Sequence, residues 1–227
     1  MSDLALIEQD ARRIHAVVRG GGLALVPTLA GYGLIGMRAE AVARIYALKG
    51  RPASKPCVTV ATWPIFDAVT SQVDARDRAW AKVVSAHLPL ALVTPIAESS
   101  GPIRRWDPAV RAQCTQDGTI ATFHNAGALL CAVATLAFAD GELLVGSSAN
   151  RSGTGNNHTL DEVPPEMCAA ADAIVDGGRT PFADLGRMAT TIVDLSTGRF
   201  VRAGLHYDTI RASWDRRTDG AGVAVTL

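Results

Sequence analysis

The chain has 227 residues, 48% of them hydrophobic and only 19% charged, a balance that suits a sizeable folded core and excludes disorder over most of its length. Lys plus Arg and Asp plus Glu number 22 each, so there is no overall polycationic character, and contact with nucleic acid would need a local patch. Aromatic residues are 5%, too few for base-stacking platforms to be the theme. The longest strongly apolar stretch, Leu129 to Ala139, falls short of the ~20 residues that span a bilayer. The first residues, MSDLALIEQDARR, lack the basic-then-apolar order of a secretory signal. Cys57, Cys114, Cys131 and Cys168 form no CxxC pair and have no histidine at zinc-site spacing. Buried free thiols in a cytoplasmic protein are expected.

In chain order, Leu4, Ile7, Ala11, Ile14 and Val18 recur at helical spacing until Gly20-Gly21-Gly22 stops them. Leu23 to Val26 is a short strand closed by Pro27-Thr28, and Leu29 to Gly33 reads as a glycine-bearing loop. Arg38 to Leu48 is helical, with Gly50 just past its end. Cys57 to Ala61 is β-like, Asp74 to Ala86 a helix and Leu90 to Ile96 a strand. Glu98 to Gln116 has no clean period and reads as a long surface excursion. Thr119 to Phe123 is a strand, and Asn125 is placed to cap a helix reaching Phe138. Leu143 to Val145 is a strand that runs into Gly146-Ser147-Ser148-Ala149-Asn150. Thr159 and Glu162 have capping-box spacing for a further helix. Ala173 to Val175, Thr191 to Val193 and Phe200 to Val201 are short strands. Strands and helices alternate without a composition break, which predicts an α/β domain. It is expected over residues 1–205, with a C-terminal helix and a flexible tail over 206–227.

Two segments carry chemistry. Lys49-Gly50-Arg51-Pro52-Ala53-Ser54-Lys55-Pro56 sets three cations on a helix end and a turn stiffened by two prolines. Cations there complement the helix dipole, and they also supply the fixed, converging donors that a polyphosphate needs. Gly146 to Gly153 follows an apolar strand, where ligands of α/β folds collect; it reads equally as a polar turn. It is not a Walker A loop. Pro27-Thr28 with Tyr32-Gly33-Leu34 is a weaker third candidate. The five histidines form no HExxH set, and no serine sits in a GxSxG elbow, so zinc chemistry and hydrolytic triads have little support.

Together these segments resemble the YrdC family, the threonylcarbamoyl-adenylate synthases of tRNA modification. Pro27-Thr28-Leu29-Ala30-Gly31-Tyr32-Gly33-Leu34 stands where the family has PT[DE]TxYGL. Lys49, Arg51, Pro52, Lys55 and Pro56 match KxRP followed by K/N-P. Ser148, Ala149, Asn150, Ser152 and Gly153 match SANxSG. Asp176-Gly177-Gly178, Thr190-Thr191-Ile192-Val193-Asp194 and Arg202-Ala203-Gly204 are similar to its late motifs. The resemblance implies a twisted mixed sheet with flanking helices around a cationic cavity. It also implies a reaction: an amine, by default L-threonine, takes up bicarbonate to give a carbamate, which attacks the α-phosphate of ATP and releases pyrophosphate, with Mg2+ helping. By the same resemblance Lys49 and Arg51 hold the phosphates as the catalytic pair. Lys55, Ser148, Asn150, Asn156 and Arg202 bind nucleotide, and Thr28, Tyr32 and Thr190 lie on the amino-acid side.

The chain departs from the family on that side. Leu29 and Ala30 replace an acidic residue and a threonine, Leu88-Pro89-Leu90-Ala91-Leu92 replaces PGPxT, and Thr190 replaces a serine. The arginine of a VRxP pattern falls near Thr122, with His124 a candidate substitute and Arg104 or Arg105 another. This implies a paralogue with a changed acceptor. Two other readings stand beside it. In one, carbamoyl phosphate is the donor and a separate carbamoyl-transferring partner takes the product, since the chain is too short for an added domain. In the other, the chain is a non-catalytic nucleotide- or double-stranded-RNA-binding module that uses Arg104, Arg105 and Arg111.

Overall fold

The computed structural model describes residues 3–52, 54–184 and 186–217. The chain opens with α1 (Asp3–Arg19), whose Ala11, Ile14 and Val18 are buried on one stripe as the spacing predicts. The Leu23 region gives β1 (Ala24–Thr28). The expected loop after it is instead the second arm of a hairpin, β2 (Gly31–Gly36), fully buried. Thr28 pairs with Gly31 across a two-residue turn, Leu29-Ala30. Glycine at 31 is required, because φ is 141° and a Cβ would stand 2.9 Å from the Asn157 carbonyl.

α2 (Ala39–Lys49) ends at Gly50 in the left-handed region. β3 (Val58–Val60) follows the cationic turn, then α3 (Trp63–Val69), which the sequence reading missed, and α4 (Ala75–Ser85), capped by Asp74. After β4 (Leu90–Pro95), the expected surface excursion is ordered as α5 (Gly101–Arg105), α6 (Pro108–Cys114) and β5 (Thr115–Gln116). It buries Ile103, Val110 and Cys114. β6 (Thr119–His124) leads to α7 (Ala128–Ala139). Asn125 is not its cap; Gly127 holds that position at φ 105°. β7 (Val145–Ser148) is followed by a single 3-10 turn, Leu160–Glu162, in place of the expected helix. Thr159 makes no side-chain cap, while Glu162 accepts the His158 N–H at 2.7 Å. The chain closes with α8 (Pro165–Ala170), β8 (Ala173–Ile174), β9 (Thr191–Asp194), β10 (Arg199–Arg202) and α9 (Tyr207–Asp215). The expected tail from 218 onward lies outside the described residues.

The strands form one mixed sheet in the order β10-β9-β4-β6-β3-β7-β2-β1-β8, with β5 paired to the start of β6. β1–β8, β3–β6 and β4–β9 run parallel, and the other pairs antiparallel. This is the mixed α/β fold that the sequence predicts. Strand alternation sends side chains to opposite faces. From β4 and β9, Leu90, Leu92 and Val193 pack with Phe66, Trp80, Ile210 and Trp214 of α3, α4 and α9. Trp80 donates to Ser213 at 3.0 Å and ties α4 to α9. The opposite residues, Ala91, Val93 and Ile192, line a cavity. A second core holds α1, α2 and α7, with Ile14, Ile45 and Val133 fully buried; each such aliphatic side chain contributes about 1.5–3 kcal/mol.

Candidate active site

The cavity is about 720 Å³, within the range of small-molecule sites. All ten residues that the sequence singled out line it: Thr28, Tyr32, Lys49, Arg51, Lys55, Ser148, Asn150, Asn156, Thr190 and Arg202. Among the described residues its lining holds four cations and no carboxylate. Such a concentration of one sign in a partly buried space is unfavourable unless an anion joins it.

The helix end and the turn set the cations. Arg51 N–H donates to Tyr46 O at 3.0 Å as α2 closes. The Arg51 guanidinium donates to Lys55 O at 2.7 Å, Pro56 O at 2.7 Å and Ser147 Oγ at 3.1 Å. The Tyr46 hydroxyl lies 2.9 Å from Lys55 O and 2.8 Å from Gln113 O, so the turn is pinned from both sides. Lys49 is 3% exposed. Its ammonium donates to Ser148 O, to Asn150 O at 2.7 Å and to Asn150 Oδ1 at 3.3 Å. It therefore staples α2 to the serine-asparagine segment. Burial, and then the neighbouring Arg51 charge, bring its pKa down to about 7. Arg202 donates to Thr190 O at 2.8 Å, and burial followed by Arg51 lowers its pKa to about 10.

The hairpin supplies the other wall. Thr28 Oγ1 donates to Gly31 O at 2.7 Å and accepts from Ala30 N–H at 3.0 Å, which closes the turn. Asn156 donates to Ala30 O at 2.7 Å. The Tyr32 hydroxyl lies 2.9 Å from Asp176 Oδ1 and accepts from Gly177 N–H at 3.0 Å. Burial and then Asp176 push it up to about 12. Tyr32 thus clasps the Asp176 segment with its hydroxyl. Arg187 reaches Asn156 O at 2.8 Å and also bonds Asn157 Oδ1. Ser147 and Arg187 are structural parts of the site that the sequence reading missed; Ser147 sat inside a quoted motif, and Arg187 gave no signal. At Gly204 a Cβ would stand 2.0 Å from Ala189 O, so the return beside Thr190 admits no side chain.

The sheet is the floor. Ile192, Ala91, Phe123 and Val60 lie side by side across four strands, and Val93 pairs with Ala121 beside them. Thr122 and His124 face away from the cavity, which corrects the reading that placed a substrate contact there. Thr122 Oγ1 lies 3.1 Å from His124 Nε2. His124 sits against Trp63 and Phe66, and burial holds its pKa down at about 3. The residue of that stretch that meets the cavity is Phe123. Arg104, Arg105 and Arg111 are not among the lining residues: Arg105 donates to Gly141 O at 3.2 Å and Arg111 pairs with Glu98. All four cysteines are free thiols, but Cys131 and Cys168 are only half-buried. Cys57 and Cys114, far apart in sequence, are hydrogen-bonded neighbours beside the turn, a contact that lowers the Cys57 pKa.

No helix among the described residues is long and apolar enough to cross a membrane. Nor is there a cluster of three or more His, Cys, Asp or Glu that could hold a metal. The mixed sheet and its cation-lined cavity make an α/β protein whose cavity is electrically suited to an anion. The family model Sua5_yciO_yrdC, described as telomere recombination, matches residues 16–204, and the chain belongs to that family. A curated threonylcarbamoyl-AMP synthase of Thiobacillus denitrificans is 32% identical over 203 residues, covering 84% of this chain and 93% of the relative. Among solved structures, P. abyssi Sua5 complexed with L-threonine aligns with a TM-score of 0.68 at 24% identity over 87% of this chain. This chain spans 54% of that protein's length. A hypothetical protein of Streptococcus mutans aligns with a TM-score of 0.76 at 17% identity over 90% of each chain. Both structural matches bear on the fold.

Proposed function

We propose that the chain is an enzyme of the threonylcarbamoyl-AMP synthase kind, forming a carbamoyl-type adenylate from an amine, bicarbonate and ATP with release of pyrophosphate. L-threonine is the reference acceptor, since the curated relative that shares most of its length carries that name. The observation that carries the reading is the convergence of Lys49, Arg51, Lys55 and Arg202 on one cavity with no carboxylate among its described lining residues. A polyphosphate supplies the charge that this arrangement lacks.

In the reaction a carbamate oxygen attacks the α-phosphorus, and the bond to the bridging oxygen breaks onto pyrophosphate. Two anions must be brought together, and negative charge grows on the leaving group. Preorganised cations meet both needs at little reorganisation cost. Arg51, locked by three acceptors, holds its guanidinium toward the phosphates, with Lys55 in the same turn and Arg202 in the same cavity. Ser148 and Asn150 offer short polar side chains at the strand end. Lys49 keeps that strand end in place and takes full charge when phosphate arrives. Among the described residues the lining has no carboxylate to build a protein-held Mg2+ site; Mg2+ brought in with the nucleotide would neutralise phosphate charge. No covalent enzyme intermediate is needed. The product is the kind that tRNA modification consumes, and reduced thiols suit a cytoplasmic setting. The test is pyrophosphate release from ATP: it should require both bicarbonate and an amine, and fall sharply in Arg51→Ala.

A further inference from the structure

Resting on that reaction, we infer that the acceptor is an amine with an apolar side chain and no free carboxylate, and that Phe123 sets this preference. The acceptor nitrogen must come close to the α-phosphate, so its body lies on the sheet floor under the cations. That floor is built from Ile192, Ala91, Phe123 and Val60, with Ala121 next to Phe123. None of these can pair a carboxylate. Of the polar side chains of β6, Thr122 and His124 are 0% and 2% exposed and point to the other face, and Thr119, at the far end of the strand, already donates to Gln116 O at 2.7 Å.

Three of the four lining cations already have protein acceptors. Lys49 is held by Ser148 and Asn150, Arg51 by the turn and Ser147, and Arg202 by Thr190 O. What charge they still present, together with that of Lys55, is matched by the triphosphate. A free amino-acid carboxylate entering beside ATP would add a second anion to a dry surface, with its desolvation uncompensated. An amide or hydrocarbon in the same place has no such cost, and contact with the Phe123 ring favours it.

The probes are L-threonine, L-threoninamide, L-valine and L-valinamide, compared by bicarbonate-dependent pyrophosphate release with the unaltered protein. The two pairs separate loss of the carboxylate from gain of an apolar side chain. Each amide should exceed its acid in kcat/KM by about tenfold or more, the scale of one lost charge-assisted contact, and L-valinamide should be the best of the four. Phe123→Arg supplies a partner for a carboxylate and should move the ratio back toward the acids by a similar factor. Phe123→Gln, a milder change in the same place, should move it part of the way. L-threonine as the best of the four overturns the inference while leaving the proposed reaction standing. So does a Phe123→Arg protein that loses ATP affinity without a change in the ratio, since the floor would then seat the nucleotide. No bicarbonate-dependent release with any of the four overturns the reaction itself, and the inference with it.

Discussion

Replacing Lys49 with methionine isolates the energetic consequence of burying an ammonium among three other cations. In the folded chain its pKa falls from 10.5 to about 7. Below that value folded and unfolded chains both hold the proton, and the folded state carries the whole burial penalty. As pH rises toward 10.5 the folded lysine sheds its proton while the unfolded one keeps it, so stability rises through that window. Between pH 6 and 8 the linkage comes to about 1.4 kcal/mol, one unit's worth of titration. For a chain of this size that is about 3–5 °C in Tm. Thermal unfolding of wild type and Lys49→Met at the two pH values measures it, and the difference between the proteins removes the histidines they share. Wild type should gain the extra 3–5 °C between pH 6 and 8 and the variant should not. Saturating ATP should shrink the gain, because phosphate holds the ammonium in its charged form. Identical pH slopes in the two proteins would refute the reasoning.

Other outcomes follow from the same geometry. Arg51→Ala should weaken ATP binding by about tenfold to a hundredfold, the worth of a charge-assisted contact, and titration calorimetry reads it. Tyr32→Phe removes the hydroxyl that meets Asp176 and Gly177; a loss of about 1–3 kcal/mol is expected, with faster amide exchange at Gly177 and Gly178. Gly204→Ala drives a methyl onto Ala189 O and should lower stability by more than about 3 kcal/mol, visible as a depressed urea midpoint. Thiol titration in denaturant without reductant should find all four cysteines, despite the proximity of Cys57 and Cys114.

Much of the site was legible because its motifs are short and local. Helical spacing gave α1 and α2, and glycine at 50 marked where the cationic turn begins. The ordered motifs collected all ten lining residues onto one cavity. The hairpin arm β2 was hidden because Gly31, Gly33 and Gly36 leave too few side chains to show alternation. α5 and α6 run only 5 and 7 residues, less than the two turns over which a period becomes visible. The most consequential miss was one residue wide. In a strand a shift of one exchanges the faces, so attention to Thr122 passed over Phe123, the residue that meets the cavity. Tyr32 shows the converse limit. Its place in the motif was plain, but its clasp on Asp176 depends on a contact 144 residues away in sequence.

The central claim is that the cation-lined cavity activates ATP for attack by a carbamate. Its most direct test is pyrophosphate release from ATP by the purified protein, with bicarbonate present or removed, across the four acceptors. Release that requires both bicarbonate and an amine, with ATP converted to pyrophosphate and an AMP-linked carbamate, is the predicted result. Release of orthophosphate instead, or pyrophosphate release indifferent to bicarbonate, would contradict it.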